Sequence, residues 1–133
     1  MTFEVFTSGL SNLKEFKHSL TEIESDLSLI LYEMTGVKGI SYDKQPSSYN
    51  PSLTEEKRLE MVERYNEKQQ EYDFTLLTIR TIEGQLQKMP QDLQIMLGEK
   101  FINGMTYEEI AKIHGYSANG MWHYIRRETE KWL

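Results

Sequence analysis

The stretch TYEEIAKIHGYSANGMWHYIR, Thr106 to Arg126, constrains the fold of this chain more than any other. Thr106 is placed to cap a helix whose first N–H groups would otherwise be unpaired, and Glu109 three residues on completes a capping box. Ile110, Ala111 and Ile113 are expected to face inward from that helix. Gly115 ends it, because glycine takes positive φ without steric cost, and the chain reverses through Tyr116 before Ser117 caps a second helix. Small Ala111 admits a close crossing of the two helices, and Met121 and Tyr124, three apart, are expected to lock the second against Ile110. The pattern is a helix-turn-helix.

The opposite face of the second helix carries the polar chemistry. Ala118, Asn119, Trp122, His123 and Arg126 share one side and are candidates for contacts to base edges in a major groove of double-stranded DNA. Asparagine pairs with adenine and arginine with guanine, each contributing about 1–3 kcal/mol of discrimination. Lys112, Ser117, Arg127 and Lys131 are placed for phosphates. Trp122 has two readings, contact with DNA or burial beside Met121. The alternative for the whole segment is an ordinary helical hairpin with a solvated Arg-Arg pair. Upstream, Pro90 suits a first helical turn, and Leu93, Met96, Leu97 and Phe101 form one apolar face before Asn103-Gly104 stops the helix. This helix is expected to support the pair behind it, with Trp132 and Leu133 closing the same core.

Met89 to Leu133, about the last third of the chain, resembles region four of sigma factors, in which a leucine-proline pair and a short helix precede Thr-x-x-Glu-Ile-Ala and a serine-started recognition helix. The chain departs from that pattern at Gly120 inside the recognition helix, at Met121 where a branched residue is usual, and at His114 where leucine is common. A small acidic chain with a long helical front end and this module behind it is similar to phage late-transcription regulators of the autolysin-regulatory, ArpU- or RinA-like, type. That resemblance implies a transcriptional regulator, an activator of late genes at a promoter, with RNA polymerase as a further partner.

Ahead of the module, Leu13, Phe16, Leu20, Ile23, Leu27, Ile30 and Met34 recur at alternating spacings of three and four, a heptad seam. A second series, Val62, Tyr65, Gln69, Tyr72, Leu76, Ile79, Glu83 and Leu86, keeps the step but includes polar Gln69 and Glu83, with Ile82 broadening it. Both predict long helices, giving an all-α chain with residues 1–88 as a helical hairpin or coiled coil and residues 89–133 as the helix-turn-helix bundle. Heptads do not say which partner fills the seam. Two helices packed antiparallel within one chain and an intermolecular coiled coil both fit, and the second assigns Leu13, Phe16, Leu20, Ile23, Leu27 and Ile30 to a homodimer interface. Residues 36–52, with Pro46 and Pro51, read as a connecting loop in which Ile40, Tyr42 and Tyr49 serve a linker or a contact surface. Ser52 or Thr54 then caps the second helix. Pro51 disqualifies Asn50-Pro51-Ser52 as a glycosylation acceptor.

Charge is uneven. The chain carries a net −6, of which residues 100–133 hold +1 and the remainder −7. A module at +1 gains little from counterion release, so DNA binding is expected to need a second copy or RNA polymerase. With no cysteine, disulfides, thiol nucleophiles and Cys-ligated zinc are excluded, and a cytoplasmic location is expected; the resemblance to phage regulators implies that the cell is a bacterial host. The apolar run Leu27 to Tyr32 is too short to span a bilayer. His18, His114 and His123 show no metal-ligand spacing, His114 is expected to pack in the module, and the glutamate pairs read as helix-start charges, so neither an enzyme nor a bound cofactor is expected. Two rivals to the regulator are a DNA-packaging protein like a small terminase and a helix-turn-helix-derived protein-interaction module acting on a host factor.

Overall fold

The computed structural model describes residues 1–35 and 54–133, and these are all-α: every regular element among them is helical. In order they form α1 (Phe3–Ser11), α2 (Leu13–Thr35), α3 (Glu55–Gln87), α4 (Gln91–Leu97), a π-helical turn (Gly98–Ile102), α5 (Tyr107–His114) and α6 (Ala118–Glu130). The loop assigned to residues 36–52, its tyrosines and the Ser52 cap lie outside the described residues. Thr54 does cap α3, accepting from the Lys57 N–H at 3.3 Å. No described helix is long and apolar enough to cross a membrane.

The chain divides into two compact units, one of residues 1–17 and 78–133 and one of residues 18–77. The unit that contains residues 89–133 also takes in the N-terminal helix and the end of α3, so its limits differ from the 88/89 boundary expected from the sequence. Helix α1 starts where the Thr2 hydroxyl accepts from the Val5 N–H at 3.2 Å. It buries Phe3, Phe6, Thr7 and Leu10 on one face. Gly9 lies so close to α3 that a Cβ there would stand 2.5 Å from Cδ1 of buried Ile82. Phe3 meets Phe101 edge-on, with ring centroids 6.1 Å apart, which seats α1 on the π-helical turn.

The support helix arrives in two pieces. Leu93, Met96 and Leu97 are buried as their spacing requires, but the ladder widens after Leu97 and Asn103 N–H reaches the Gly98 carbonyl at 2.9 Å. Phe101 is consequently half-buried rather than in the core. Around this element the core closes with Ile110, Ala111, Met121 and Ile125, four of the best-buried side chains in the molecule. Two inward assignments are corrected: Ile113 is 62% exposed and Trp132 is 45% exposed, with Leu133 half-buried. Ile110 and Ala111 already fill the α5–α6 contact, which leaves Ile113 on the outer side. Trp132 lies beyond α6, where its carbonyl accepts from the Gln85 side chain.

In the other unit, the pairings of Glu24 with Tyr72 (3.2 Å) and Asp26 with Lys68 (3.3 Å) run in opposite sequence directions, so the helical segments are antiparallel. Of the heptad seam, Leu13, Ile23, Leu27 and Ile30 are buried within their own chain, and Phe16, Leu20 and Met34 are half-buried. Of the six residues given to an intermolecular coiled coil, the burial of Leu13, Ile23, Leu27 and Ile30 within one chain fits the antiparallel intrachain alternative, while Phe16 and Leu20 keep part of their surface open. The α3 seam is weaker. Ile79 and Ile82 are buried, whereas Val62 is exposed, and a cleft lined by Leu27, Leu31, Tyr65, Gln69 and Tyr72 remains where polar and aromatic side chains replace aliphatic ones.

Candidate nucleic-acid interface

The helix-turn-helix forms from local instructions. Thr106 Oγ1 accepts from Glu109 N–H at 3.2 Å and lies 3.2 Å from the Glu109 carboxylate, to which its own hydroxyl donates. Gly115 adopts φ 79°, ψ 30°, with its N–H and that of Tyr116 both donating to the Ala111 carbonyl. Ser117 then caps α6, accepting from Gly120 N–H at 3.0 Å. Gly120 has a steric reason to be there: a Cβ would lie 2.8 Å from Ser117 Oγ, inside the cap.

Helix α6 buries Met121, Ile125 and Thr129, spaced by four, against the core. Turning 100° per residue from that stripe places Asn119, Trp122, His123, Arg126 and Arg127 on the outer face. Asn119, Trp122, His123 and Arg127 are exposed, Arg126 is intermediate, and Ala118 is half-buried in the first turn. Thus four of the five base-contact candidates come together on one surface, and Trp122, at 37% exposed, is not buried beside Met121. Its ring stands edge-on to His123 at 4.7 Å. Tyr124 is half-buried and packs on Tyr116 at 5.1 Å, and burial, then the Tyr116 neighbour, pushes its hydroxyl pKa up. Ile125 supplies the inner contact that the sequence assigned to Tyr124.

The phosphate candidates are spread along the rim. Lys112 is exposed on α5 and Ser117 sits at the N-terminus of α6. Arg127 and Lys131 both lie against the Glu128 carboxylate, at 3.4 and 3.0 Å, and the Lys131 hydrogen bond leads in holding that carboxyl below the ordinary glutamate range. His114 packs as expected, but through a polar contact: its Nε2 is 2.8 Å from Glu99 Oε1, with both side chains largely covered. The pair gives His114 a polar partner, since the widened turn delivers the Glu99 carboxylate to it.

Arg126 is held more closely than any other candidate. Its Nη2 donates to Glu4 at 2.7 Å and its Nε to Glu130 at 2.9 Å. The guanidinium also lies 5.2 Å from the Phe3 ring centre and 5.9 Å from that of Trp122. Hydrogen bonding to Glu130, then attraction to Glu4, raises its pKa further. The Glu4 carboxyl is pulled down, first by a backbone hydrogen bond at the start of α1 and next by Arg126. Burial pushes the Tyr107 hydroxyl up, with Arg126 acting against it.

Glu4 and Phe3 were missed by sequence reasoning. The signal was present: a capping Thr2 followed by Phe3, Phe6 and Leu10 at helical spacing. Electrically, residues 1–17 and 78–133 balance nine basic against nine acidic side chains, and the whole net charge of −6 falls in residues 18–77. Among the described residues no group of three or more histidines and carboxylates is arranged to hold a metal ion. The fold and surface define a helix-turn-helix module built on three helical pieces. No family model matches the chain, and comparison with curated proteins and with solved structures gave no match either.

Proposed function

We propose that this chain is a sequence-specific DNA-binding transcriptional regulator of the phage or prophage late-gene type, acting at a promoter inside a bacterial host cell. The observation that carries this reading is α6 itself: a Ser117-capped helix set by left-handed Gly115, with Asn119, Trp122, His123 and Arg126 gathered on its outer face. A helix presented in this way fits a major groove, and its capped N-terminus is a natural seat for a phosphate. Asn119 offers a bidentate partner to adenine. Lys112, Ser117, Arg127 and Lys131 supply the backbone contacts. Because the module is neutral, affinity from one copy is low, and a homodimer or RNA polymerase supplies the remainder. The same neutrality favours a second reading, a helix-turn-helix that docks on a protein.

Titration of the purified protein against labelled fragments of its neighbouring genomic DNA, at two salt concentrations and with an unrelated duplex as competitor, separates the two. Fragment-specific binding that survives competitor supports the regulator. Absence of binding at low salt overturns it in favour of the protein-docking reading.

A further inference from the structure

Helix α1 belongs to the same compact unit as α6, and its first turn delivers a carboxylate to the outer face of that helix. Two features make this contact more than a surface ion pair. Arg126 shares the outer face of α6 with Asn119 and His123, and it is flanked by the Phe3 and Trp122 rings. A carboxylate receiving a guanidinium N–H at 2.7 Å occupies the position an incoming phosphodiester oxygen takes on arginine. Resting on the DNA-binding reading above, we propose that Glu4 is a resident competitor for the DNA backbone: α1 masks Arg126, and a DNA phosphate displaces Glu4 when the module docks. Arg126 is then a backbone contact, not the base reader that its place on α6 suggested.

The contact is suited to exchange. The Glu4 side chain is 64% exposed and that of Arg126 39%, so the ion pair is screened and is weakened by salt. Glu130, four residues along the same helix, continues to hold Nε and orients the guanidinium when Glu4 leaves. Phe3 keeps α1 seated through Phe101, so displacement of one carboxylate does not require the helix to undock.

The test compares Glu4→Gln with wild type in binding to a DNA duplex across a salt series. Glu15→Gln, an exposed residue of α2, serves as the control for loss of one negative charge. Thermal melts confirm that each variant is folded. Glu4→Gln is expected to bind about three- to fivefold more tightly at low salt. Because Arg126 reaches the same phosphate in both complexes, the slope of log K against log salt is expected to change by less than about 0.9, the value of one added contact, and the gain should shrink as salt weakens the Glu4–Arg126 pair. Glu15→Gln should show no such gain, and in an Arg126→Gln background the Glu4→Gln gain should vanish. If wild type binds but Glu4→Gln binds no better, or gains equally without Arg126, the masking role is overturned while the DNA reading stands. If neither protein binds any duplex at low salt, both fail.

Discussion

The two compact units are built from the same kind of element and reach different qualities of packing. Residues 1–17 and 78–133 are electrically neutral and contain side chains with no exposure at all, Phe6, Leu97, Ile110, Met121 and Ile125. Residues 18–77 carry all the net negative charge and leave Leu29, Leu59, Phe74 and Leu77 largely exposed. Short helices that each touch more than one neighbour enclose residues from several sides, whereas two antiparallel segments bury only a stripe each. Periodicity is therefore a good guide to a helix and a poor guide to how well it is covered. Tyr65, Gln69 and Tyr72 keep the heptad step and still line a cleft.

Truncation gives the sharpest contrast. Leu97→Ala, at a site with no exposure, is expected to cost about 2–5 kcal/mol, while Phe74→Ala, at 72% exposed, should change stability by less than about 0.5 kcal/mol. Urea unfolding followed by circular dichroism measures both, and equal losses would erase the distinction between the units. Next in size is Gly9→Ala. Its Cβ would overlap Ile82, so a loss of about 1–3 kcal/mol is expected. Ile82→Val removes the clashing Cδ1, and in the double variant the two penalties should be less than additive.

Thr129 is buried in the neutral unit and its hydroxyl has no hydrogen-bond partner among the described residues. Thr129→Val keeps the shape and removes that polar group, and a gain of about 1 kcal/mol is expected in the same unfolding experiment. A loss would show that the hydroxyl is satisfied in solution. Smaller again is the response to acid. The Glu4 and Glu128 carboxyls are held below the ordinary glutamate value, so their contribution is complete above about pH 4.3 and disappears as pH falls through the lower folded value. The melting temperature of wild type should approach that of Glu4→Gln below that range and exceed it slightly at neutral pH. Gly120→Ala should be close to neutral, because about 1 kcal/mol of helix propensity offsets a disturbed Ser117 cap of similar size. A large loss there would mean that the cap governs α6.

Much of the helix-turn-helix was legible in the residues. Thr106 and Ser117 as caps, Gly115 in the left-handed region, and Asn119, Trp122 and His123 on one face all follow from interactions within four residues. Such contacts form wherever the local backbone is helical, so spacing alone specifies them. The same holds for the long helices α2 and α3. What tertiary structure decided is everything that depends on distant pairing. Seam residues Ile23, Leu27 and Ile30 turned out to be covered inside one chain. Gly9 became the point of closest approach to Ile82, and Ile113 faced outward although its spacing admitted an inward place. Glu4 reached Arg126 across 122 positions of sequence. An apolar stripe specifies that it must be covered, and a charge that it favours a counter-charge, but neither names the partner; that choice belongs to the packing of the whole unit, where the geometry of α1 on the π-helical turn and α6 brings those atoms together.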